Sequence, residues 1–149
     1  MSLVEINAQA FDVDIDLVYA TKDNLSGHVI YKTPDCYLHE RAAEALRQAV
    51  HLARPLGLRF KIFDAYRPSE AQWALWHALP DPEFVADPRR GSPHTRGVAI
   101  DLTLIDGTGR ELEMGTGFDE AIPQSHHGST EVSVTAQQNR FTLMGIMMA

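Results

Sequence analysis

A loop followed by a strand carries the strongest signal in this sequence: Gly91-Ser92-Pro93-His94-Thr95-Arg96-Gly97-Val98-Ala99-Ile100-Asp101-Leu102. Alternate side chains of a strand share a face, so Asp101 lies with Thr103 on a polar side while apolar residues fill the other side. Gly97 provides a turn that can fold His94 back toward Asp101. Imidazole and carboxylate groups are zinc ligands, and the pattern therefore indicates half of a zinc site. An exposed aspartate and a loop histidine remain the alternative, because two ligands do not define a metal site.

The segments on either side of this stretch predict an α+β fold, with a mainly antiparallel sheet flanked by helices. Alternating apolar residues predict strands, and apolar residues at helical spacing predict helices. The predicted strands are 12–19, 58–63 and a hairpin of 98–105 with 110–114, and the predicted helices are 38–53, 68–79 and one that begins near 134. The length of 149 residues predicts one domain over residues 1–149.

The composition is that of an ordinary water-soluble globule, with 44% hydrophobic and 22% charged residues. A net charge of −7 argues against nucleic acid and anionic membranes as partners, and no apolar run approaches the roughly 20 residues that cross a bilayer. The N-terminus lacks signal-peptide features, so the predicted location is cytoplasmic, or periplasmic if a leader was removed. Cys36 is the single cysteine, which excludes an internal disulfide, and we predict that it is a small buried residue. The sequence leaves the oligomeric state open.

Five further motifs accompany the 92–104 pattern: Tyr19-Ala20-Thr21-Lys22-Asp23-Asn24, Asp64-Ala65-Tyr66-Arg67-Pro68, Met114-Gly115-Thr116-Gly117-Phe118-Asp119, Ser125-His126-His127 and Gln138-Asn139-Arg140. In this order, the six motifs together resemble those of the D-alanyl-D-alanine dipeptidases. These are zinc peptidases related to the zinc D,D-carboxypeptidases, and they share a core fold with the signalling domain of Hedgehog. The resemblance runs from about residue 14 to residue 148 and implies the same α+β architecture.

The resemblance implies hydrolysis of the dipeptide D-Ala-D-Ala by a water activated on Zn²⁺, in cell-wall dipeptide turnover or glycopeptide resistance. It implies that His94 and Asp101 are zinc ligands and that Arg67 stabilises the oxyanion. Pro68 holds the backbone of Arg67 extended, and a guanidinium donates charge-assisted hydrogen bonds to such an anion. Without the motif, Arg67 would be interpreted as a surface residue or as a partner of Asp64.

The resemblance also implies two clamps for the charged ends of a small dipeptide substrate. Asp119 with the Tyr19 region would hold the ammonium group, and Ser92 with nearby backbone amides would hold the carboxylate. Such clamps exclude longer peptides, because a longer chain would clash or bury an uncompensated charge. From composition alone, Asp119 is a loop acid, Ser92 a turn residue and Tyr19 a core aromatic.

One element of the family has no match in this sequence. The family carries Glu-x-x-His near its C-terminus, supplying the general base and the third zinc ligand, whereas this chain stops at Ala149 and contains no such motif. We therefore expect a truncated chain that binds zinc poorly, with third ligand and base unidentified. His126 and His127 are weak candidates, and loop or supporting roles are preferred for both. The alternatives are an inactive remnant that binds a small ligand or partner without hydrolysis, and an incomplete chain of a longer enzyme.

Overall fold

Strands and helices are interspersed along the chain. The computed structural model describes residues 2–118 and 120–149. The strands of this part are β1 (Leu3–Glu5), β2 (Asp14–Ile15), β3 (Tyr37–His39), β4 (Arg59–Asp64) and β5 (Asp101–Ile105). Its α-helices are α1 (Ala8–Phe11), α2 (Glu40–Ala53), α3 (Ser69–Ala78) and α4 (Val134–Met148). Short 3-10 turns lie at Val18–Ala20, Arg54–Leu56, Pro88–Arg90 and Pro123–Ser125.

Strand β4 lies at the centre of a three-stranded sheet with the order β2-β4-β5. It pairs parallel with β2 and antiparallel with β5, while β1 and β3 form a separate antiparallel pair. The predicted α+β class with mainly antiparallel pairing is therefore confirmed. Phe60 and Ile62 of β4 are both 0% exposed, as expected for the apolar residues of a central strand.

The register between β4 and β5 places two carboxylates side by side at one end of the sheet. Ile62 pairs with Leu102, but the next paired residues are Asp64 and Asp101, so the register shifts between Ile62 and Asp64. An irregularity of this kind bends a strand and turns a side chain in a new direction. Asp64 and Asp101 consequently face each other where β4 ends and β5 begins.

Helix α2 forms because its apolar residues recur on one face. The buried residues are Ala43, Leu46, Ala49, Val50 and Ala53. The helix begins at Glu40, two residues later than predicted, because Tyr37–His39 pairs with β1 as strand β3. The His39 side chain caps the helix by accepting a hydrogen bond from the backbone N–H of Arg41.

Two strands are shorter in the structure than the sequence predicted. The predicted strand 12–19 contains only the two residues of β2, and its end is the 3-10 turn Val18–Ala20. The predicted hairpin begins at β5 rather than at residue 98, and its return segment makes one bridge, between Ile105 and Glu111. The early part of that strand is diverted because the carbonyl of Gly97 accepts a hydrogen bond from the backbone N–H of His39 in the other sheet.

Helix α4 begins at Val134 as predicted, but two of the large apolar residues that recur along it at helical spacing are exposed. Phe141 is 54% exposed and Met148 is 78% exposed, whereas Ala136 and Ile146 are buried. The rotation of the helix is set by tertiary contacts, because the Arg140 guanidinium donates to backbone carbonyls of neighbouring loops. These contacts cannot be predicted from the spacing of apolar residues along the helix.

The main core surrounds β4 and α2 and includes the single cysteine. Cys36 is 4% exposed, and burial raises the pKa of its thiol to about 12. The prediction that Cys36 is a small buried residue is therefore confirmed. In residues 2–118 and 120–149, no helix is both long enough and apolar enough to cross a membrane.

The turn at Gly97 allows a stability prediction. Its φ is +72°, and a Cβ at this position would lie 3.0 Å from the backbone nitrogen of His39 and 3.0 Å from a methyl carbon of Leu3. Gly57 has a similar φ of +70° with open space around it. We expect Gly57→Ala to lower the free energy of unfolding by about 1–2 kcal/mol through backbone strain, and Gly97→Ala to lower it by at least about 1 kcal/mol more through the clash. Urea denaturation of both variants measures the difference, and equal losses would contradict the steric argument.

Candidate functional site

A cleft of about 280 Å³ contains most of the residues that the sequence predicted for a site. The structure brings five of them together, and the sixth, Asp119, lies outside the described residues. The five residues that line the cleft are Tyr19, Arg67, Ser92, His94 and Asp101. An apolar wall of Leu25, Leu75, Phe84, Val85 and Phe118 completes it.

The loops that carry these residues are joined by backbone hydrogen bonds. Arg67 follows β4, and its N–H donates to the carbonyl of His94 over 3.0 Å. Gly97 donates to the same carbonyl over 3.1 Å, which closes the tight turn that contains His94. Asp101 is the first residue of β5. The arginine, the histidine and the aspartate are therefore held by one continuous backbone arrangement.

The orientation of the His94 ring is fixed by a hydrogen bond from one of its two nitrogens. Nδ1 lies 2.8 Å from the carbonyl oxygen of Ala65, and because a carbonyl can only accept, Nδ1 carries the proton. Nε2 is then the nitrogen with a lone pair, and it lies 3.4 Å from Oδ1 of Asp101. This separation exceeds the roughly 2.9 Å of an ordinary hydrogen bond. It matches the edge of about 3.4 Å between two ligands of a tetrahedral zinc with bonds near 2.1 Å.

The charge around His94 favours a cation. Burial alone would lower the pKa of His94, but the negatively charged carboxylate of Asp101 nearby raises it above its ordinary value. The field that favours a proton on this ring also favours a metal ion between the ring and the carboxylate.

Asp64 belongs to the same cluster, although no sequence pattern predicted it as a site residue. Ligand atoms of Asp64, His94 and Asp101 all lie within 4.8 Å of one another. Both oxygens of Asp64 are engaged, however, because Oδ1 accepts from the Tyr31 hydroxyl and Oδ2 accepts from Nε and Nη2 of Arg67. We therefore infer that Asp64 holds Arg67 in place. His94 and Asp101 are the pair that faces the cleft.

Arg67 is an internal arginine with a fixed guanidinium. It is 6% exposed, and Nη1 donates to Oε1 of Gln72 over 2.8 Å in addition to the bonds to Asp64. Nη2 also lies 3.6 Å from Oδ2 of Asp101. Burial would lower the pKa of Arg67, but the charge of Asp64, followed by Tyr19 and Asp101, raises it above its ordinary value. The Arg67 guanidinium is therefore positively charged.

Tyr19 and Ser92 lie on the cleft in positions suited to a small ligand. Tyr19 is 2% exposed, and the Arg67 guanidinium lies 5.2 Å from the centre of its ring. Ser92 is 1% exposed, and its hydroxyl oxygen accepts from the backbone N–H of His94 over 3.2 Å. The Ser92 hydroxyl therefore begins the turn that presents His94 and also lines the cleft.

The two neighbouring histidines, His126 and His127, contact the loop at residues 83–84 and helix α4, respectively. His126 Nε2 lies 3.0 Å from a carboxylate oxygen of Glu83, and its ring packs against Phe84. His127 Nε2 lies 2.9 Å from the sulfur of Met144. In the described residues, the cluster of acidic and histidine ligands contains neither of them.

An α+β fold with a histidine–aspartate pair and a charged arginine in one cleft fits the class of metallopeptidases. A family model described as D-ala-D-ala dipeptidase, of the peptidase M15 group, matches residues 1–149. The chain belongs to this family, and the metal dependence of the family agrees with the cluster at His94.

Three relatives support the same assignment, and each is named a D-alanyl-D-alanine dipeptidase. The protein of Escherichia coli K12 is 46% identical over 145 residues, which are 97% of this chain and 75% of the relative. The protein of Enterococcus faecium is 33% identical over 153 residues, 89% of this chain and 76% of the relative. The protein of Streptomyces coelicolor is 33% identical over 159 residues, 90% of this chain and 77% of the relative.

The different environments of the two aspartates lead to a prediction about zinc affinity. Asp101→Asn should weaken zinc binding by more than about 100-fold, because it removes a ligand, whereas Asp64→Asn should weaken it by no more than the roughly 10–100-fold of a supporting residue. Titration with zinc against a competing chromophore measures both, with the exposed Glu44→Gln as control and circular dichroism to check folding. Equal losses in the two aspartate variants would make Asp64 a ligand.

Proposed function

We propose that this chain hydrolyses D-Ala-D-Ala with the help of zinc, and that residues 1–149 belong to one dipeptidase-like domain. The observation that carries the proposal is the approach of His94 Nε2 to Asp101 Oδ1 at 3.4 Å, in a cleft that a buried arginine also lines. Membership in the D-ala-D-ala dipeptidase family supports the reaction and the substrate.

His94 and Asp101 would supply two of the ligands of the zinc ion. One imidazole nitrogen and one carboxylate oxygen fit the preference of zinc for nitrogen and oxygen ligands. When bound, zinc supplies an activated water near neutral pH and polarises the carbonyl of the peptide bond. The Ala65 carbonyl holds His94 in the tautomer that this role requires, through its contact with Nδ1.

Arg67 would stabilise the negative charge that develops on the carbonyl oxygen. Three of the five N–H groups of its guanidinium are used by Asp64 and Gln72. These bonds leave one N–H on each terminal nitrogen for a substrate, and Nη2 lies 3.6 Å from Oδ2 of Asp101. A charged donor already fixed in place loses little free energy by reorganising during the reaction, so it favours the transition state.

The two ends of the dipeptide would be held by separate groups. We assign the ammonium group to Asp119 with Tyr19, and the carboxylate to Ser92 with neighbouring backbone amides. The apolar wall of the cleft suits small side chains such as the methyl groups of alanine, and a volume of about 280 Å³ leaves little room beyond a dipeptide. Free charged ends would therefore be required for binding.

The substrate assignment has a direct test. Zinc-loaded protein should release free D-alanine from D-Ala-D-Ala and should leave N-acetyl-D-Ala-D-Ala and D-Ala-D-Ala-D-Ala intact, because both analogues remove a charged end from its clamp. Asp119→Ala should raise KM more than it lowers kcat. An amine-release assay measures these rates. Efficient cleavage of the acetylated dipeptide would indicate a carboxypeptidase instead, and binding of the dipeptide without amine release would indicate a non-catalytic binding protein.

The role of Arg67 has a kinetic test. Arg67→Ala should lower kcat by about 10²–10³-fold, as expected for the loss of an oxyanion donor. Arg67→Lys keeps a positive charge beside Asp64 but cannot donate as a planar fork, so it should fold normally and still lose most of the rate. The exposed Arg41→Ala on α2 serves as a control with no expected change. Unchanged kcat in Arg67→Lys would assign Arg67 to a structural role.

A further inference from the structure

Gln72 lies behind the cleft, where its amide joins two parts of the cleft wall. It is on α3 and is 1% exposed. Its Oε1 accepts from Nη1 of Arg67 over 2.8 Å, and its Nε2 donates to the carbonyl of Ala86 over 2.7 Å. The orientation of the amide is fixed, because a guanidinium only donates and a carbonyl only accepts. Phe84, Val85 and Ala86 line the cleft, so Gln72 links the arginine to that wall.

Asp64 alone does not fix the plane of the guanidinium. Its bonds to Nε at 2.9 Å and to Nη2 at 2.6 Å both end on the single oxygen Oδ2. A group held at one acceptor atom can pivot about that atom, even when the carboxylate is itself held, as here by Tyr31. The bond from Nη1 to Gln72 comes from another direction, and it removes this freedom.

We propose that Gln72 is a positioning residue for the hydrolysis: its amide fixes the Arg67 guanidinium relative to His94 and Asp101, and ties the cleft wall at Ala86 to the same arginine. The proposal rests on the proposed function of Arg67 as an oxyanion donor. Gln72 acts through Arg67, since its own side chain atoms bond to Arg67 and Ala86 behind the cleft.

A double-mutant cycle distinguishes positioning from a general structural role. Gln72→Met keeps the length of the side chain and removes both hydrogen bonds. In the full zinc-loaded chain it should lower kcat by about 10–100-fold with KM changed by less than about 3-fold, because a misplaced donor affects the transition state. In the Arg67→Ala background the same substitution should lower kcat by less than about 3-fold, because residues that act as a unit are not additive. Additive losses in the two backgrounds would overturn the proposal.

A buried core substitution outside the cleft controls for lost stability. Val50 on α2 is 4% exposed and packs in the main core. Val50→Ala should lower the unfolding midpoint without changing kcat at a temperature where the variant is folded. A kcat loss in Val50→Ala equal to that in Gln72→Met would show that stability alone explains the rate, and the proposal would be wrong.

Nuclear magnetic resonance gives a readout that needs neither zinc nor activity. In the wild-type protein the terminal N–H groups of Arg67 should give separate signals, because bonds to Asp64 and Gln72 hinder rotation of both terminal nitrogens, and Gln72→Met should merge those of Nη1. Loss of the signals in Arg67→Lys assigns them. If the wild-type protein does not cleave D-Ala-D-Ala, the proposed function fails, while separate signals still support the placement of Arg67 by Gln72. A single averaged signal in the wild-type protein would overturn the proposal even if Gln72→Met does not fold.

Discussion

Asp64 and Arg67 form an ion pair inside the protein, with exposed fractions of 0% and 6%, and the site is built around it. Removing both charges from water costs several kcal/mol per ion, and attraction between them offsets this cost only when their other donors and acceptors are also satisfied. Tyr31 satisfies the second oxygen of Asp64, and Gln72 satisfies Nη1 of Arg67. The pair therefore requires helix α3 and the segment that carries Tyr31 to pack against the end of β4.

The segment that carries this ion pair positions the histidine, the second aspartate and the arginine of the site. The shifted register places Asp64 beside Asp101, the carbonyl of Ala65 orients His94, and the side chain of Arg67 approaches Asp101. Two carboxylates, one buried and one on the cleft, and one guanidinium thus lie around His94, whose free nitrogen is near Asp101. A divalent cation at His94 and Asp101 would balance the excess of negative charge, which is a physical reason for a metal at this position.

The sequence determined the parts of the molecule that local patterns encode. Apolar periodicity identified α2, α3 and the central strand, and the ordered motifs indicated the family, since each motif consists of neighbouring residues. The structure places His94, Asp101, Arg67, Ser92 and Tyr19 around one cleft, and the roles that their motifs implied stay predictions. Such residues can be found from sequence because a turn glycine, a proline after an arginine or an acid on a polar strand face is visible within a few positions.

Only the tertiary structure determines which other residues support the five residues that line the cleft. Tyr31 reaches Asp64 across 33 positions of sequence, and Gln72 reaches Ala86 across 14. A tyrosine in a loop and a glutamine on a helix carry no pattern that announces a partner, because their roles depend on how separate elements pack. The same reason explains why the exposed face of α4 was not predictable and why Asp64, read locally, is only the last residue of a strand. Local sequence encodes periodicity and turns, whereas the balance of buried charge is set by contacts between distant segments.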